Sequence, residues 1–165
     1  MKPIAFAGIG ARKSPMPIMQ QMELIASVLG ARGLLLRSGG AAGADTAFEV
    51  GCNAVGGPKR IYEPKIGHYI EWQTIAERFH PNWQACDEAA RKLHARNTPS
   101  ILGDRPITAP EPAAFVVCWT PGGAVTGGTG QALRIAAHHA IPVFNLALPG
   151  HDMAAVMRYV AGMGW

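Results

Sequence analysis

Ser38-Gly39-Gly40-Ala41-Ala42-Gly43-Ala44-Asp45 follows the apolar run Gly33-Leu34-Leu35-Leu36-Arg37 and leads into a helical segment, Ala44 to Ala54. A strand that ends in a glycine-rich turn and passes into a helix is how a parallel α/β sheet builds a seat for an anion. Glycine allows the sharp turn and brings bare N–H groups close, and the helix offers its positive end. Two more stretches have this form: Gly8-Ile9-Gly10-Ala11-Arg12 after the run that starts at Ile4, and Gly122-Gly123-Ala124-Val125-Thr126-Gly127-Gly128-Thr129-Gly130 after Ala113 to Trp119.

Working outward, Met16 to Ala31 carries Ile18, Met22, Ile25, Ala26 and Leu29 at helical spacing, and Arg60-Ile61-Tyr62 supplies a third strand. Gly130 to Ala140, Ile141 to Leu146 and Asp152 to Ala161 continue as helix, strand and helix. Alternation of this kind requires crossovers and hence parallel pairing, so the expected fold is a Rossmann-like, doubly wound α/β sheet of about five strands with helices on both faces. The first and fourth strands should lie side by side, with all three glycine turns above their junction. Residues 64–112 interrupt the pattern with Pro64, Pro81, Pro99, Pro106, Pro110 and Pro112 around one helix, about Asn82 to Arg96, and form an insertion serving as a lid or partner surface.

A chain of 165 residues with 48% apolar content suits one domain spanning residues 1–165. No run approaches the ~20 apolar residues of a membrane helix, and the opening is too short for a signal peptide, so a soluble, cytoplasmic protein without membrane association is expected. The net charge of +4 favours anionic partners, but the bases are scattered. Cys52, Cys86 and Cys118 are more than thirty residues apart with no histidine at ligand spacing, so neither a disulfide framework nor a metal site is expected.

The turns also exclude chemistries. Lys13 replaces the third glycine of a dinucleotide fingerprint, and no carboxylate follows Arg37 to hold a ribose diol, which argues against a nicotinamide enzyme. Gly122 to Thr129 has a Walker A outline with Gly128 in place of the lysine, which argues against P-loop hydrolysis, and no G-x-S-x-G elbow is present. Gly127-Gly128-Thr129-Gly130 opens its helix without an acid and is the preferred phosphate seat, with Arg134 one turn on. Asp45 competes with phosphate at its own helix start, so that loop more naturally offers Asp45, flanked by Thr46 and Glu49, to a ribose hydroxyl or base amine. Asp45 and Glu49 share a helix face and are the acid–base candidates, although both also suit the role of complementing a helix N-terminus. Trp72, Trp83 and Trp119 fit burial or base stacking, and His68 and His80 reach the pocket only if the insertion folds over it.

These same residues resemble the SLOG superfamily of Rossmann-like proteins, which includes DNA-processing protein A, the Lonely Guy phosphoribohydrolases and molybdenum-cofactor carriers. Ser38 to Asp45 looks like the S-G-G-A-x-G-x-D signature of the DNA-processing protein A branch, Gly10-Ala11-Arg12 is similar to its G-S-R turn, and Arg96-Asn97 to its R-N pair. The resemblance implies a small DprA-like protein of a kind common in phage-like genomes, a homodimer, and a ligand site built from Gly10, Arg12, Ser38, Gly39, Gly40, Gly43, Asp45, Thr46, Arg96, Asn97, Thr120, Gly127, Gly128, Thr129 and Gly130. Against the Lonely Guy P-G-G-x-G-T-x-x-E loop, Arg134 falls where the catalytic Glu belongs, which argues against that activity. The function expected first is binding of a small nucleotide-derived phosphate ligand for sensing, sequestering or carriage. Single-stranded DNA binding and N-glycosidic hydrolysis are the alternatives.

Overall fold

A computed structural model of the chain describes residues 2–64 and 70–165, so His68 of the sequence reading lies outside the described residues. In chain order the elements are β1 (Ala5–Gly8), α1 (Met16–Ala31), β2 (Leu35–Ser38), α2 (Ala44–Ala54), β3 (Lys59–Ile61), α3 (Ile70–Phe79), α4 (Glu88–Ala95), α5 (Asn97–Leu102), β4 (Phe115–Cys118), α6 (Gly127–His138), β5 (Val143–Asn145) and α7 (Met153–Gly162). All strands pair in parallel in the order β3-β2-β1-β4-β5, with Phe6 opposite Leu36 on one side and Phe115 on the other. The order reverses between β1 and β4, so the two strands expected to be neighbours are.

Alternation along the central strands sends successive side chains to opposite layers. Phe6 joins Met22, Ile25 and Leu29 of α1, Phe48 of α2 and Val156 and Val160 of α7. Ala7 meets Ile101 and Leu102 of α5 and Leu133, Ile135 and Ala136 of α6 on the other face. Every residue of β1 and β4 is buried, as expected of parallel strands covered on both sides. Each fully buried side chain of the Phe or Leu type stabilises the fold by ~1.5–3 kcal/mol, which fixes the strand ends that carry the turns.

Among the described residues the insertion holds three helices, α3, α4 and α5, rather than the one expected. Pro81 ends the region after α3 and a short 3-10 turn at Trp83–Ala85 follows. The expected helix then begins late, because Asp87 is its cap and accepts the Ala90 N–H at 2.8 Å. Pro99 lies in the first turn of α5, where its missing N–H costs no helical hydrogen bond. Tyr62, Trp72, Ala76, Trp83 and Ala95 give this region a small core of its own. That burial takes Trp72 and Trp83 out of the stacking role, and Trp119 packs against the main core. Similarly, α6 starts at Gly127 rather than Gly130, so part of the third glycine turn is already helical.

Candidate ligand-binding cleft

Above the β1–β4 junction the three glycine turns border one cleft of about 410 Å³. The turn after β1 contributes Ile9, Gly10, Ala11 and Arg12, the turn after β2 contributes Ala41 and Asp45, and the segment after β4 contributes Thr120, Pro121 and Thr126 to Thr129. The first two turns touch so closely that a Cβ on Gly43, which has φ +83°, would lie 2.2 Å from the Arg12 carbonyl oxygen. Only glycine allows both that backbone angle and that approach.

The insertion forms the remaining wall through Ala90, Leu93 and His94 of α4 and the pair Arg96-Asn97. Those two consecutive residues reach in different directions. Arg96 Nη1 donates to the Gly39 carbonyl at 2.5 Å, while Asn97 Nδ2 donates to the Gly128 carbonyl at 3.0 Å. The insertion thereby holds the second and third turns at a set separation. Positions 90, 93 and 94 lie at helical spacing on one face of α4, with Asn97 following at the start of α5, and that periodicity was the available signal for this wall.

Asp45 is the charged group that distinguishes the cleft. It is 6% exposed, and its Oδ2 accepts the Ala41 N–H at 3.2 Å. Burial raises its pKa from 3.8 to about 6, against the opposing pull of the Ala41 amide and the Arg96 and Arg12 guanidinium groups. Arg96 is itself buried, which lowers its pKa while Asp45 raises it. Arg12 is exposed at the rim.

Across the cleft, α6 presents its N-terminus. Its first turn contains no acid, and the bond from Gly130 N–H to the Thr126 carbonyl at 2.9 Å leaves the preceding amides without an intrahelical acceptor. The amide ends and the dipole of α6 therefore face a cavity whose other charges are Arg12, Arg96 and a carboxyl able to change protonation near neutral pH.

Several expected site residues shape the turns without lining the cleft. Ser38 Oγ donates to the Gly8 carbonyl at 2.6 Å and fixes β2 to β1. Thr46 Oγ1 donates to the Ala41 carbonyl at 2.8 Å, and Gly39, Gly40, Gly43 and Gly130 serve the backbone. Glu49, expected beside Asp45, instead pairs with Lys59 at 2.6 Å and stands apart from the lining residues, because α2 turns that position towards β3. Arg134, expected to assist phosphate, donates from Nε to the Phe79 carbonyl at 2.8 Å and ties α6 to α3. Arg37 is buried and binds the Glu111 carbonyl.

Although no histidine stands at ligand spacing from a cysteine in the sequence, folding brings the ligand atoms of His80, Cys86 and His94 within 4.8 Å of one another. The three come from separate elements at irregular spacing, so no short motif announced them.

No protein-family model matches the chain, and no curated protein matches it. Solved structures do. DNA processing protein A from Helicobacter pylori, described for its single-stranded DNA binding mode, matches at 17% identity with a TM-score of 0.60, over 98% of this chain and 73% of that one. A Moco carrier protein from Chlamydomonas rheinhardtii matches at 15% identity with a TM-score of 0.59, over 99% of this chain and 98% of that one. The chain thus shares the Rossmann-like fold of these two proteins, the fold that the resemblance in its glycine turns implied.

Proposed function

We propose that the cleft binds a small nucleotide-derived ligand through its phosphate, in a sensing, sequestering or carrier role. The observation that carries this reading is the convergence of the three glycine turns with Arg12, Arg96 and Asp45 on one cavity at the strand-order reversal. Its volume of about 410 Å³ lies within the ~300–1,000 Å³ usual for small-molecule sites. In this reading the phosphate rests on the first amides of α6, with Arg12 adding a charge-assisted hydrogen bond from the rim. Asp45, when ionised, accepts from a ribose hydroxyl or a base amine.

A panel of nucleoside mono-, di- and triphosphates, measured by thermal shift and then calorimetry, tests this directly. A ligand at a hundred times its Kd stabilises the native state by ~2.7 kcal/mol, a readily measured rise in melting temperature. No rise with any member, together with single-stranded DNA binding that weakens steeply with salt, would overturn the proposal in favour of the DNA-binding reading. That outcome would align the chain with the described mode of its Helicobacter pylori fold neighbour.

One observation favours a second reading. A carboxyl with a pKa of about 6 inside the cleft has the protonation behaviour that N-glycosidic hydrolysis asks of an acid–base group. Asp45 would accept a proton from the attacking water as the bond from C1′ to the base breaks, and would pass that proton to the departing base, which regenerates the carboxylate. Glu49, paired with Lys59 away from the cleft, has no place in that step. Appearance of free base from a nucleoside monophosphate, lost in Asp45→Asn, is the expected result for this reading.

A further inference from the structure

We propose that His80, Cys86 and His94 form a zinc site that clamps the insertion and stiffens the α4 wall of the cleft. His80 Nε2 and His94 Nε2 are 3.2 Å apart, and Cys86 Sγ lies 3.7 Å from His80 Nε2. Tetrahedral zinc with Zn–N of ~2.0–2.1 Å and Zn–S of ~2.3 Å places two nitrogens ~3.3 Å apart and a nitrogen and a sulfur ~3.6 Å apart. Both measured separations fall near those edges. An imidazole–imidazole hydrogen bond accounts for the first distance, and the thiol, which also lies 3.9 Å from His80 Nδ1, turns towards the Nε2 side to complete the set when the ion binds.

The surroundings fit the same ion. His94 Nδ1 and Gln131 Oε1 are both buried and neither makes a well-formed hydrogen bond among the described residues, while the Gln131 side chain lies beside His94. A His94 ring that ligates through Nε2 carries its proton on Nδ1, and donating it to Gln131 Oε1 satisfies both atoms. Such an outer partner is the usual companion of a metal-bound histidine. Gln131 is held in place by its Nε2, which donates to the Ala76 carbonyl at 3.0 Å.

The imidazole–imidazole hydrogen bond and two further contacts yield on binding. His80 Nδ1 accepts the Asn82 N–H at 3.1 Å, a contact that opens when the ring proton moves to Nδ1. The Cys86 thiol, which donates to the Asn82 carbonyl at 3.6 Å, loses its proton to solvent and binds as thiolate, as zinc requires. Arg134 adds positive charge near His94, which the thiolate offsets. With three protein ligands the fourth position is left to water or another donor, as in open zinc sites. The ligands join the chain just after α3, the segment before α4, and α4 itself, which supplies Ala90, Leu93 and His94 to the cleft.

The test is titration of the purified full chain with Co²⁺ as a spectroscopic stand-in, followed by Zn²⁺ competition. One equivalent should produce the visible bands of tetrahedral cobalt and a near-ultraviolet thiolate charge-transfer band, both removed by zinc. Cys86→Ser should lose the charge-transfer band, and His94→Gln should weaken binding at least tenfold. Because Cys52 and Cys118 are buried, a thiol reagent applied to the native protein should modify Cys86 alone, and one equivalent of zinc should block it. This second readout decides the matter even if the variants fail to fold. A featureless cobalt titration, an unchanged thiolate band in Cys86→Ser, or alkylation of Cys86 indifferent to zinc would overturn the proposal.

Discussion

Replacing Asp45 with Asn should make the protein more stable and its cleft less competent. At 6% exposure, the Asp45 carboxyl has a pKa raised from 3.8 to about 6, so folding disfavours its ionised form. At about 1.36 kcal/mol per pKa unit, that displacement amounts to ~3 kcal/mol. A group whose folded pKa lies above its unfolded value imposes no penalty below both, and its full penalty above both. Native Asp45 therefore lowers stability progressively as pH rises from about 4 to 6, after which the penalty is constant. Asparagine keeps the shape and an acceptor for the Ala41 amide but cannot ionise, so Asp45→Asn should match the native protein near pH 3.5 and exceed it by up to ~3 kcal/mol at pH 8. The attraction between the carboxylate and Arg96 is already contained in this figure, because the displacement to about 6 is what burial leaves after that opposing pull. Urea unfolding of both proteins between pH 3.5 and 8 provides the measurement. Calorimetry with the best nucleotide should show weaker binding by the more stable variant, the trade between stability and function expected of a buried site carboxylate. A difference in stability that does not vary with pH, or a variant less stable at pH 8, would refute the reasoning.

Arg12→Ala should leave unfolding within ~0.5 kcal/mol of native, since the side chain is exposed, while weakening an anionic ligand by the ~1.5–3 kcal/mol of a charged hydrogen bond, read by calorimetry. Gly43→Ala should destabilise the fold by at least ~1–3 kcal/mol in denaturant unfolding, because the new Cβ meets the Arg12 carbonyl at a φ of +83°. Arg96→Met removes the bond to the Gly39 carbonyl and the positive charge that opposes burial of Asp45, so carboxyl NMR should show the Asp45 pKa moving further above 6.

Much of the fold was legible because its signals were local. The spacing of Met22, Ile25, Ala26 and Leu29 reproduced α1, and Ala44 to Ala54 coincided with α2. The neighbouring of β1 and β4 followed from chain order and the handedness of crossovers. The insertion was less legible because prolines were read as breaks. Trp72, Ile75, Ala76 and Phe79 have helical spacing, yet Pro64 and Pro81 bracketed them, and Pro99 sits in a first turn where it is tolerated. In the cleft, Gly10, Arg12, Asp45, Asn97 and Gly127 to Thr129 were named from turn chemistry and resemblance, and they line one surface. Glu49 was misplaced because periodicity gives a shared helix face but not how far along the helix a cleft extends, and Lys59 claims it from the neighbouring strand. The His80–Cys86–His94 cluster depends wholly on tertiary packing between segments.

The central claim is that three turns distant in sequence bind one anionic ligand together, and amide NMR during a nucleotide titration tests it most directly. The account predicts concerted, saturable shifts at Gly10 to Arg12, Ala41 to Asp45 and Gly127 to Thr129 with a single affinity. Shifts confined to one of these turns, or centred elsewhere on the molecule, would contradict it.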